Sequence, residues 1–452
     1  MAEYQLQCAH PDCGRRYEKD DTFRLRCDEE ISESHGPAFL RACYEAQRLE
    51  VRGDLPGIFN YSDWLPTGHV YISPVRLQLG GPCTYESQGL SKNLGLEHLF
   101  VAFSGYWPEK GATLVTGSFK EFEAQATIAR SFSVFAPERP APLVISSAGN
   151  TACGFNYVTS ALGLPVYLVV PEAGVSELSV PVETAPTLIV VHGDYYDAIC
   201  VAEQLATEKG LMREGGARNV ARRAGLGVAA LHSVAHPQQG SGVLFDHYFQ
   251  AVGSGTGAIA AHEAFQLLRR DGRFGDRTTR VHMVQNAPFS PIVDAWEAGG
   301  RSFEAVEDLV AKERIPSVTA QVLTNRRPPY SIAGGVYDTL RDSGGNAWRV
   351  TNSQSYRAGM LFRELEGIDI GPAAAAAVAA LQQAVSMSQV RREDRVLLHV
   401  TGAGGEKLRS EKQMHPVRPA FTITPEASHE FFDRLDPIKV LPDAIEGVLL
   451  YS

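Results

Sequence analysis

The sequence predicts an α/β protein whose sheets are largely parallel and flanked by helices. From about Leu99 onward, short β-rich runs alternate with segments that carry apolar residues at helical spacing. Such alternation is typical of parallel sheets with helices on both faces. Glycine-rich turns follow several of the β-rich runs. Because ligands of such sheets bind beyond the carboxyl ends of the strands, we expect the functional residues in these turns.

The predicted elements can be placed along the chain in order. Strands are expected at Pro142–Ser147, Pro165–Val170, Thr187–Val191, Tyr248–Val252, Arg280–Val284 and Arg395–Val400. Helices are expected at Thr151–Leu162, Asp197–Lys209, Ala258–Arg269, Tyr356–Leu365 and Pro372–Val385. This regular alternation over most of the chain is the main support for the predicted fold class.

Length, composition and charge exclude several classes of protein. The chain has 452 residues, of which 44% are hydrophobic and 21% charged, as in ordinary globular proteins. A net charge of −10 argues against a nucleic-acid partner. The most apolar stretch, Ala373–Leu381, is too short to span a membrane. Because Met1–Gln7 lacks the apolar core of a signal peptide, we expect a cytoplasmic protein with reduced cysteines.

The first candidate motif is the loop Gly253-Ser254-Gly255-Thr256-Gly257, between a predicted strand and a helix. Glycines leave backbone amides open to an anion, and the helix N-terminus adds the positive end of a dipole. The two hydroxyl side chains add further donors. The loop lacks the Lys of a P-loop, and its spacing differs from the dinucleotide fingerprint. The local sequence leaves two alternatives, a phosphate-monoester site and a tight structural turn.

A second turn between a strand and a helix is Ser147-Ala148-Gly149-Asn150-Thr151. Its amides and hydroxyls can hold a carboxylate, and the Asn150 amide can hydrogen-bond a ring hydroxyl. The alternative is a simple helix cap, because Ser, Asn and Thr are all favoured at helix starts. Taken alone, the turn is better explained as a cap.

Two further segments carry residues of chemical interest. Lys120 follows Gly117-Ser118-Phe119 at the start of a stretch with helical periodicity. A lysine there is usually solvated, whereas a desolvated one has a lowered pKa that suits Schiff-base chemistry. Thr401 opens a glycine-containing segment after the last predicted strand, and a flexible turn explains that segment equally well.

Together, in this order and at these separations, the motifs resemble those of the fold-type II pyridoxal-phosphate enzymes, the tryptophan synthase β and threonine synthase group. Within this group the chain is most similar to the cysteate synthase family. The resemblance covers nearly the whole chain and includes long matches with aromatic residues. These matches are Leu55–Phe59, Asp63–Pro66, Gly105–Gly111, Ser118–Lys120, Gln285–Phe289, Leu323–Arg326, Gly334–Tyr337 and Glu366–Asp369.

The resemblance implies a role for each motif around pyridoxal 5'-phosphate. Lys120 would bind the cofactor covalently and later move the α-proton of the substrate. Asn150 would lie beside the ring oxygen, Gly253–Gly257 would hold the phosphate, and Thr401 would lie near the pyridine nitrogen. The turn Ser147–Thr151 would receive the substrate's α-carboxylate. A hydroxyl at the pyridine nitrogen suits β-elimination, which does not need the full electron sink of the cofactor.

The implied reaction is β-replacement on an activated serine-type amino acid, through an aminoacrylate. In the family that the chain resembles, the amino acid is O-phospho-L-serine and the small nucleophile is sulfite. Two anions require cationic side chains, for which Arg326, Arg327 and Lys110 are candidates, unless they are surface charges. Two alternatives remain open, γ-elimination and replacement on O-phosphohomoserine, as in threonine synthase, and a cofactor-binding protein without turnover. The resemblance also implies a homodimer.

Two segments depart from the family's pattern on the substrate side. After Ala148–Thr151 the pattern continues with Gly and Arg, whereas this chain has Ala152 and Cys153. In the last glycine turn, Ala403 stands where a Gly is expected. The cofactor residues are intact, so these departures leave the nucleophile and the leaving group open.

Three of the seven cysteines, Cys8, Cys13 and Cys27, lie near the amino terminus. This segment resembles the degenerate zinc-ribbon arm of some threonine synthases. A structural zinc site needs four ligands, and His10 or His35 is the available fourth. The spacing favours a metal-free remnant, and no metal is predicted.

We therefore expect three parts. Residues 1–35 form the cysteine-containing arm, and 36–111 with 236–452 form a larger domain that binds the cofactor phosphate. Residues 112–235 form a smaller domain that carries Lys120 and the carboxylate-binding turn. The cofactor would lie in the cleft between the two domains, and the smaller domain would close over bound substrate.

Overall fold

A computed structural model of the chain describes residues 3–18, 20, 22–32, 35–72, 78–135, 140–435 and 448–450. Its strands are β1 (Tyr4–Cys8), β2 (Arg16–Tyr17), β3 (Leu40–Tyr44), β4 (Val70–Ile72), β5 (Cys83–Glu86), β6 (His98–Phe103), β7 (Tyr106–Trp107), β8 (Ala112–Thr113), β9 (Leu143–Ser146), β10 (Val166–Pro171), β11 (Ser179–Val180), β12 (Thr187–Val191), β13 (Met212–Arg213), β14 (His247–Ala251), β15 (Arg280–Asn286), β16 (Asn346–Val350), β17 (Arg395–Val400), β18 (His415–Pro416), β19 (Phe421–Ile423) and β20 (Val448–Leu450).

The α-helices connect and cover these strands. They are α1 (Gly89–Leu94), α2 (Lys120–Phe135), α3 (Asn150–Ala161), α4 (Tyr195–Lys209), α5 (Val220–Ala235), α6 (Thr256–Asp271), α7 (Pro291–Ala298), α8 (Asp308–Arg314), α9 (Val336–Ser343), α10 (Asn352–Glu366), α11 (Pro372–Ser386), α12 (Gly405–Glu411) and α13 (Ser428–Arg434). In the part of the chain that the structure describes, no helix is long and apolar enough to cross a membrane.

The larger sheet has the strand order β16-β15-β14-β17-β6-β5. All neighbours are parallel except β5 and β6. Both faces are covered, because alternate residues of one strand enter different cores. On β17, Val396 and Leu398 pack with the Ala-rich helix α11, whereas Leu397 packs on the opposite side with α6. This two-sided burial explains the continuously apolar strands in the sequence.

The smaller sheet has the strand order β13-β9-β10-β12-β19 and is parallel throughout. Its faces alternate in the same way. Val169 and Ile189 pack against α4, whereas Leu168 and Val190 pack toward α2 and α3. The α/β fold with two largely parallel sheets is thus as the sequence predicts.

Two strands cross the limits predicted for the domains. The edge strand β19 (Phe421–Ile423) pairs with β12, so the predicted smaller domain lacks one strand of its sheet. In the amino-terminal arm, β1 pairs with both β2 and β3, and β3 lies beyond residue 35. Long-range pairings of such short strands leave no local pattern in the sequence. The domain limits themselves stay a prediction.

The predicted element bounds are close to the observed ones. The strand predictions at Thr187–Val191 and Arg395–Val400 coincide with β12 and β17. Helix α4 begins before the predicted Asp197, because Asp194 and Asp197 form a capping box around its first turn. Helix α6 begins at Thr256, inside the predicted glycine loop. The helix N-terminus is therefore part of that loop.

Candidate active site

One pocket lies at the carboxyl ends of β9, β14 and β17, and four of the predicted motifs line it. Ser147 follows β9, Val252 follows β14 and Thr401 follows β17, while Lys120 begins α2. The predicted residues around the pocket are Lys120, Ser147, Ala148, Gly149, Asn150, Thr151, Gly253, Ser254, Gly255, Thr256, Gly257 and Thr401. Convergence at this edge of the sheets is the position expected for a ligand site.

Lys120 is desolvated. Only 21% of its side chain is exposed, and its Nζ lies 3.3 Å from Oε2 of Glu123, three residues later on the same helix. Burial lowers the pKa of Lys120 below its ordinary value, and Arg222 lowers it further, while Glu123 opposes the shift. The amine therefore loses its proton more readily than a surface lysine, which favours a nucleophile or base over a solvated charge.

Two backbone hydrogen bonds hold the segment that precedes Lys120 against the segment that begins at Thr401. The Phe119 N–H donates to the carbonyl of Thr401 at 3.1 Å, and the Ala403 N–H donates to the carbonyl of Gly117 at the same distance. Ser118 and Gly402 form an antiparallel bridge between these bonds. The segment after β17 is therefore not a free turn, because it pairs with the segment that precedes the lysine.

A neutral histidine lies below the pocket. Burial, with a smaller contribution from Lys120, lowers the pKa of His399 to about 3. The Tyr248 hydroxyl donates to Gln250 Oε1 at 2.6 Å and lies 2.7 Å from His399 Nδ1, so it accepts the Nδ1 proton. Ser104 Oγ lies 3.0 Å from Nε2 and donates to it. Because the side chains in this hydrogen-bonded series are paired and uncharged, they add no positive charge beside Lys120.

The glycine loop is packed too tightly for side chains, and it fits a phosphate group. A Cβ on Gly253 would lie 2.8 Å from the carbonyl of Val322, and one on Gly257 would lie 2.3 Å from Gln250 Nε2. Gly255 has a φ of +84°, which favours glycine. The first amides of α6 have no acceptor within the helix and therefore offer hydrogen bonds to an anion.

The turn after β9 caps the start of α3. Ser147 Oγ accepts hydrogen bonds from the N–H groups of Gly149 and Ala152, each at 3.0 Å. This capping leaves the amides of Asn150 and Thr151 at the start of α3, where helical geometry supplies no acceptor. The two alternatives drawn from the sequence are therefore compatible, and these two amides can receive a carboxylate.

Arg222 is a pocket residue that the sequence did not indicate. It lies on α5 with 5% of its side chain exposed, between two buried carboxylates. Its Nε lies 2.9 Å from Glu123 Oε2, and its Nη1 donates to Glu214 Oε2 at 2.6 Å. Nη2 lies 3.4 Å from Thr151 Oγ1, in the carboxylate-binding turn. Burial opposes the charge of Arg222, but the two carboxylates outweigh it and raise its pKa. The arginine stays charged.

Cys153 occupies the position where the family's pattern has an arginine. Its thiol is buried and donates to the carbonyl of Glu177 at 3.4 Å. Burial raises the pKa of Cys153 to about 12, so it is not a thiolate at neutral pH.

Arg326, predicted to bind substrate, lies outside the pocket. Its Nε donates to Asp194 at 2.7 Å, its Nη2 to Asp197 at 2.8 Å, and its Nη1 to Asp308. Only 2% of the Arg326 side chain is exposed, and these carboxylates hold its guanidinium in place. The prediction for Arg326 is corrected accordingly, since its charge joins the cap of α4 to α8. Lys110 also lies elsewhere, over the rings of Tyr85 and Trp107.

A second cavity, here called the vestibule, shares Tyr195, Arg222, Ser254 and Thr256 with the pocket. Arginines dominate its charged lining, against the carboxylates of Glu203 and Glu214. They are Arg24, Arg26, Arg213, Arg218, Arg222 and Arg327. Most of these guanidinium groups are paired with carboxylates, among them those of Asp28, Glu30 and Asp308, so much of the positive charge is compensated. Arg24 and Arg26 come from the amino-terminal arm, so this arm forms part of the approach to the pocket.

The sequence is similar to known proteins over most of its length. The family model for pyridoxal-phosphate dependent enzymes matches residues 79–402. Cysteate synthase of Methanocella paludicola is 43% identical over 429 residues, which cover 94% of this chain and 95% of the relative. Cysteate synthase of Methanoculleus marisnigri is 44% identical over 425 residues, covering 93% of each chain. That of Methanosarcina acetivorans is 40% identical and covers 94% of this chain and 97% of its own.

Solved structures with the same fold are more distant. A threonine deaminase from T.th. aligns with a TM-score of 0.52 at 20% identity, covering 73% of this chain and 92% of that chain. Maize serine racemase aligns with a TM-score of 0.53 at 15% identity, covering 76% and 93%. At these identities the likeness shows the fold alone.

Proposed function

The chain belongs to the pyridoxal-phosphate dependent enzyme family and to its cysteate synthase branch, and from this we propose that it replaces the phosphate of O-phospho-L-serine with sulfite. The products are L-cysteate and phosphate. The observation that carries the proposal is the pocket in which Lys120, Asn150, the glycine loop and Thr401 face one another. The identity of the nucleophile rests on the named relatives.

The pocket residues suit the parts of pyridoxal phosphate. In the proposal Gly253–Gly257 would hold its phosphate, Asn150 would contact the ring oxygen, and the Thr401 hydroxyl would lie near the pyridine nitrogen. When bound, the cofactor withdraws electrons from the substrate's Cα and makes the α-proton acidic. Thr401 adds no negative charge at the nitrogen, and this matches a reaction that eliminates at Cβ rather than one that needs the strongest electron sink.

Lys120 has two tasks in the proposal. It holds the cofactor covalently, and as a free amine it removes the α-proton as a general base. Its lowered pKa supports both, because only the unprotonated amine attacks a carbonyl or accepts a proton. Glu123, 3.3 Å from Nζ, positions the amine between these steps.

The remaining residues bind and orient the two anions. The amides of Asn150 and Thr151 receive the α-carboxylate, and the charge of Arg222 beside Thr151 strengthens that site.

The Cβ–O bond breaks and phosphate leaves with its electron pair. The sulfur lone pair of sulfite then forms the Cβ–S bond, and Lys120 returns the proton to Cα. No oxidant or reductant is needed, and the vestibule, which shares Arg222 with the pocket, is the proposed approach for both anions.

The experiment that tests the proposal supplies the purified holoprotein with O-phospho-L-serine and sulfite, and follows phosphate release and L-cysteate by mass spectrometry. We expect L-cysteate to form only when both are present. O-Phosphohomoserine should react about 10–200-fold more slowly, because a pocket discriminates against one extra methylene by that factor. Faster turnover of O-phosphohomoserine would favour threonine synthase-like chemistry. Phosphate release without L-cysteate would exclude sulfite as the nucleophile.

Two finer expectations belong to this proposal. We infer a homodimer from the resemblance to the family, and a cytoplasmic location from the composition of the sequence. Light scattering of the purified protein measures the first, and both stay predictions.

A further inference from the structure

We propose that Cys8, Cys13, Cys27 and His35 bind a structural zinc ion in the amino-terminal arm. The four side chains come from separate parts of the arm, yet their ligand atoms all lie within 4.8 Å of one another. Cys13 Sγ lies 3.8 Å from Cys27 Sγ, and Cys8 Sγ lies 3.4 Å from His35 Nε2. All but Cys13 are buried.

These separations are those of a zinc coordination shell. Bond lengths of about 2.3 Å to sulfur and about 2.0 Å to nitrogen in a tetrahedron place two sulfurs about 3.8 Å apart and a sulfur and a nitrogen about 3.6 Å apart. A disulfide would bring two sulfurs to about 2.0 Å, far closer than Cys13 and Cys27 are here. Three thiolates and one imidazole form a soft ligand set that favours zinc over magnesium or calcium.

The surroundings orient the ligand atoms toward a common centre. His35 Nδ1 lies 2.7 Å from the carbonyl of Gly36, which can only accept, so Nδ1 carries the proton and the Nε2 lone pair faces Cys8. The His10 N–H lies 3.4 Å from Cys8 Sγ, and the Tyr17 hydroxyl donates to Cys27 Sγ at 3.4 Å. Donors to the sulfurs and an acceptor behind the imidazole are the supporting contacts typical of metal sites.

The structure shows which of the two histidines, His10 or His35, faces the cysteine sulfurs. The ring of His10 stacks on that of His35, with centroids 4.6 Å apart, and its Nδ1 accepts from the Asp12 N–H at 3.3 Å. His35 thus supplies the fourth ligand. The sequence favoured a metal-free remnant, because it offers only three cysteines and they lack the paired short spacings of a zinc site.

The site has a consequence for the approach to the pocket. Cys27 directly follows the segment with Arg24 and Arg26, which line the vestibule. The metal would fix one end of this segment against β1, while Arg130 Nη2 donates to the carbonyl of Arg24 at 3.0 Å. If the proposed function holds, loss of zinc therefore raises the KM for the anionic substrate more than it lowers kcat.

Metal analysis of the full-length, cofactor-loaded protein under reducing conditions tests the site. We expect about one zinc per chain, and at least a 10-fold weaker affinity in Cys13→Ser. The matched control is Cys43→Ser, on β3 of the same small sheet, which should keep its zinc. Wild-type protein that takes up no zinc when offered it, or Cys13→Ser with full occupancy, would overturn the proposal.

Cobalt substitution in the wild-type protein keeps the proposal testable if Cys13→Ser does not fold. Tetrahedral cobalt bound by thiolates should give intense charge-transfer absorption, and its absence at full cobalt loading would contradict the site. After metal removal under denaturing conditions, all seven cysteines should react as free thiols. Two fewer would identify a disulfide instead. These measurements do not depend on catalysis, so their outcome is separate from that of the proposed function.

Discussion

Replacing Lys120 with alanine should reduce turnover of the amino-acid substrate by at least about 10³-fold, because general base catalysis alone contributes about 10²–10⁴-fold and the covalent link to the cofactor is lost as well. The measurement is the steady-state rate of L-cysteate formation. Lys120 is the first residue of α2, and alanine is the best helix former, so the fold should persist.

The control for this variant is Lys92→Ala. Lys92 is exposed near the end of the short helix α1, so its loss removes a charge without touching the pocket. We expect activity within a factor of about two of wild type, since surface substitutions change stability by less than about 0.5 kcal/mol. A Lys120→Ala variant with more than a tenth of the wild-type rate would exclude this lysine as the cofactor's partner and as the base.

Replacing Arg222 with methionine should lower the free energy of unfolding by about 3–5 kcal/mol, because it leaves the buried carboxylate of Glu214 without its cation. Glu214 has 4% of its side chain exposed, whereas Glu123 still pairs with Lys120 at 3.3 Å. The measurement is urea-induced unfolding of variant and wild type without cofactor, followed by far-UV circular dichroism.

Arg349→Met is the matched control for this loss of stability. Arg349 pairs with Asp294 and Glu297, but all three side chains are between 36% and 57% exposed. Such a pair contributes about 0–1 kcal/mol. Equal losses of stability in the two variants would contradict the account of Arg222 as the charge that compensates a buried acidic pair. In an Arg222→Met background, Glu214→Gln should recover part of the loss, because it removes the unpaired carboxylate.

The cofactor motifs could be located from the sequence because each is a short, continuous segment. The loop Gly253–Gly257 and the turn Ser147–Thr151 follow strands with a clear β-rich pattern, and their function lies largely in their own backbone. Lys120 was found differently, since its local sequence favours a solvated side chain and only the resemblance to a family singled it out. Its burial depends on the segment after β17, which meets the segment with Phe119 only in the folded chain.

The charged residues around the substrate could not be assigned from the sequence. Arg326 lies in a matching segment, yet three carboxylates from α4, its cap and α8 hold it outside the pocket. Arg222 sits in an ordinary amphipathic helix, with no motif around it. Which charge enters a pocket depends on distant pairings, and a single sequence does not contain them.

The central claim is that Lys120 carries the cofactor, and reductive trapping tests it most directly. The purified holoprotein is treated with borohydride, which reduces a lysine–cofactor imine to a stable amine, then digested and mapped by mass spectrometry. We predict the added mass of the reduced cofactor on the peptide that contains Lys120, and none on that peptide after prior addition of O-phospho-L-serine. A label on a different lysine, or a protein that binds no pyridoxal phosphate, would contradict the claim.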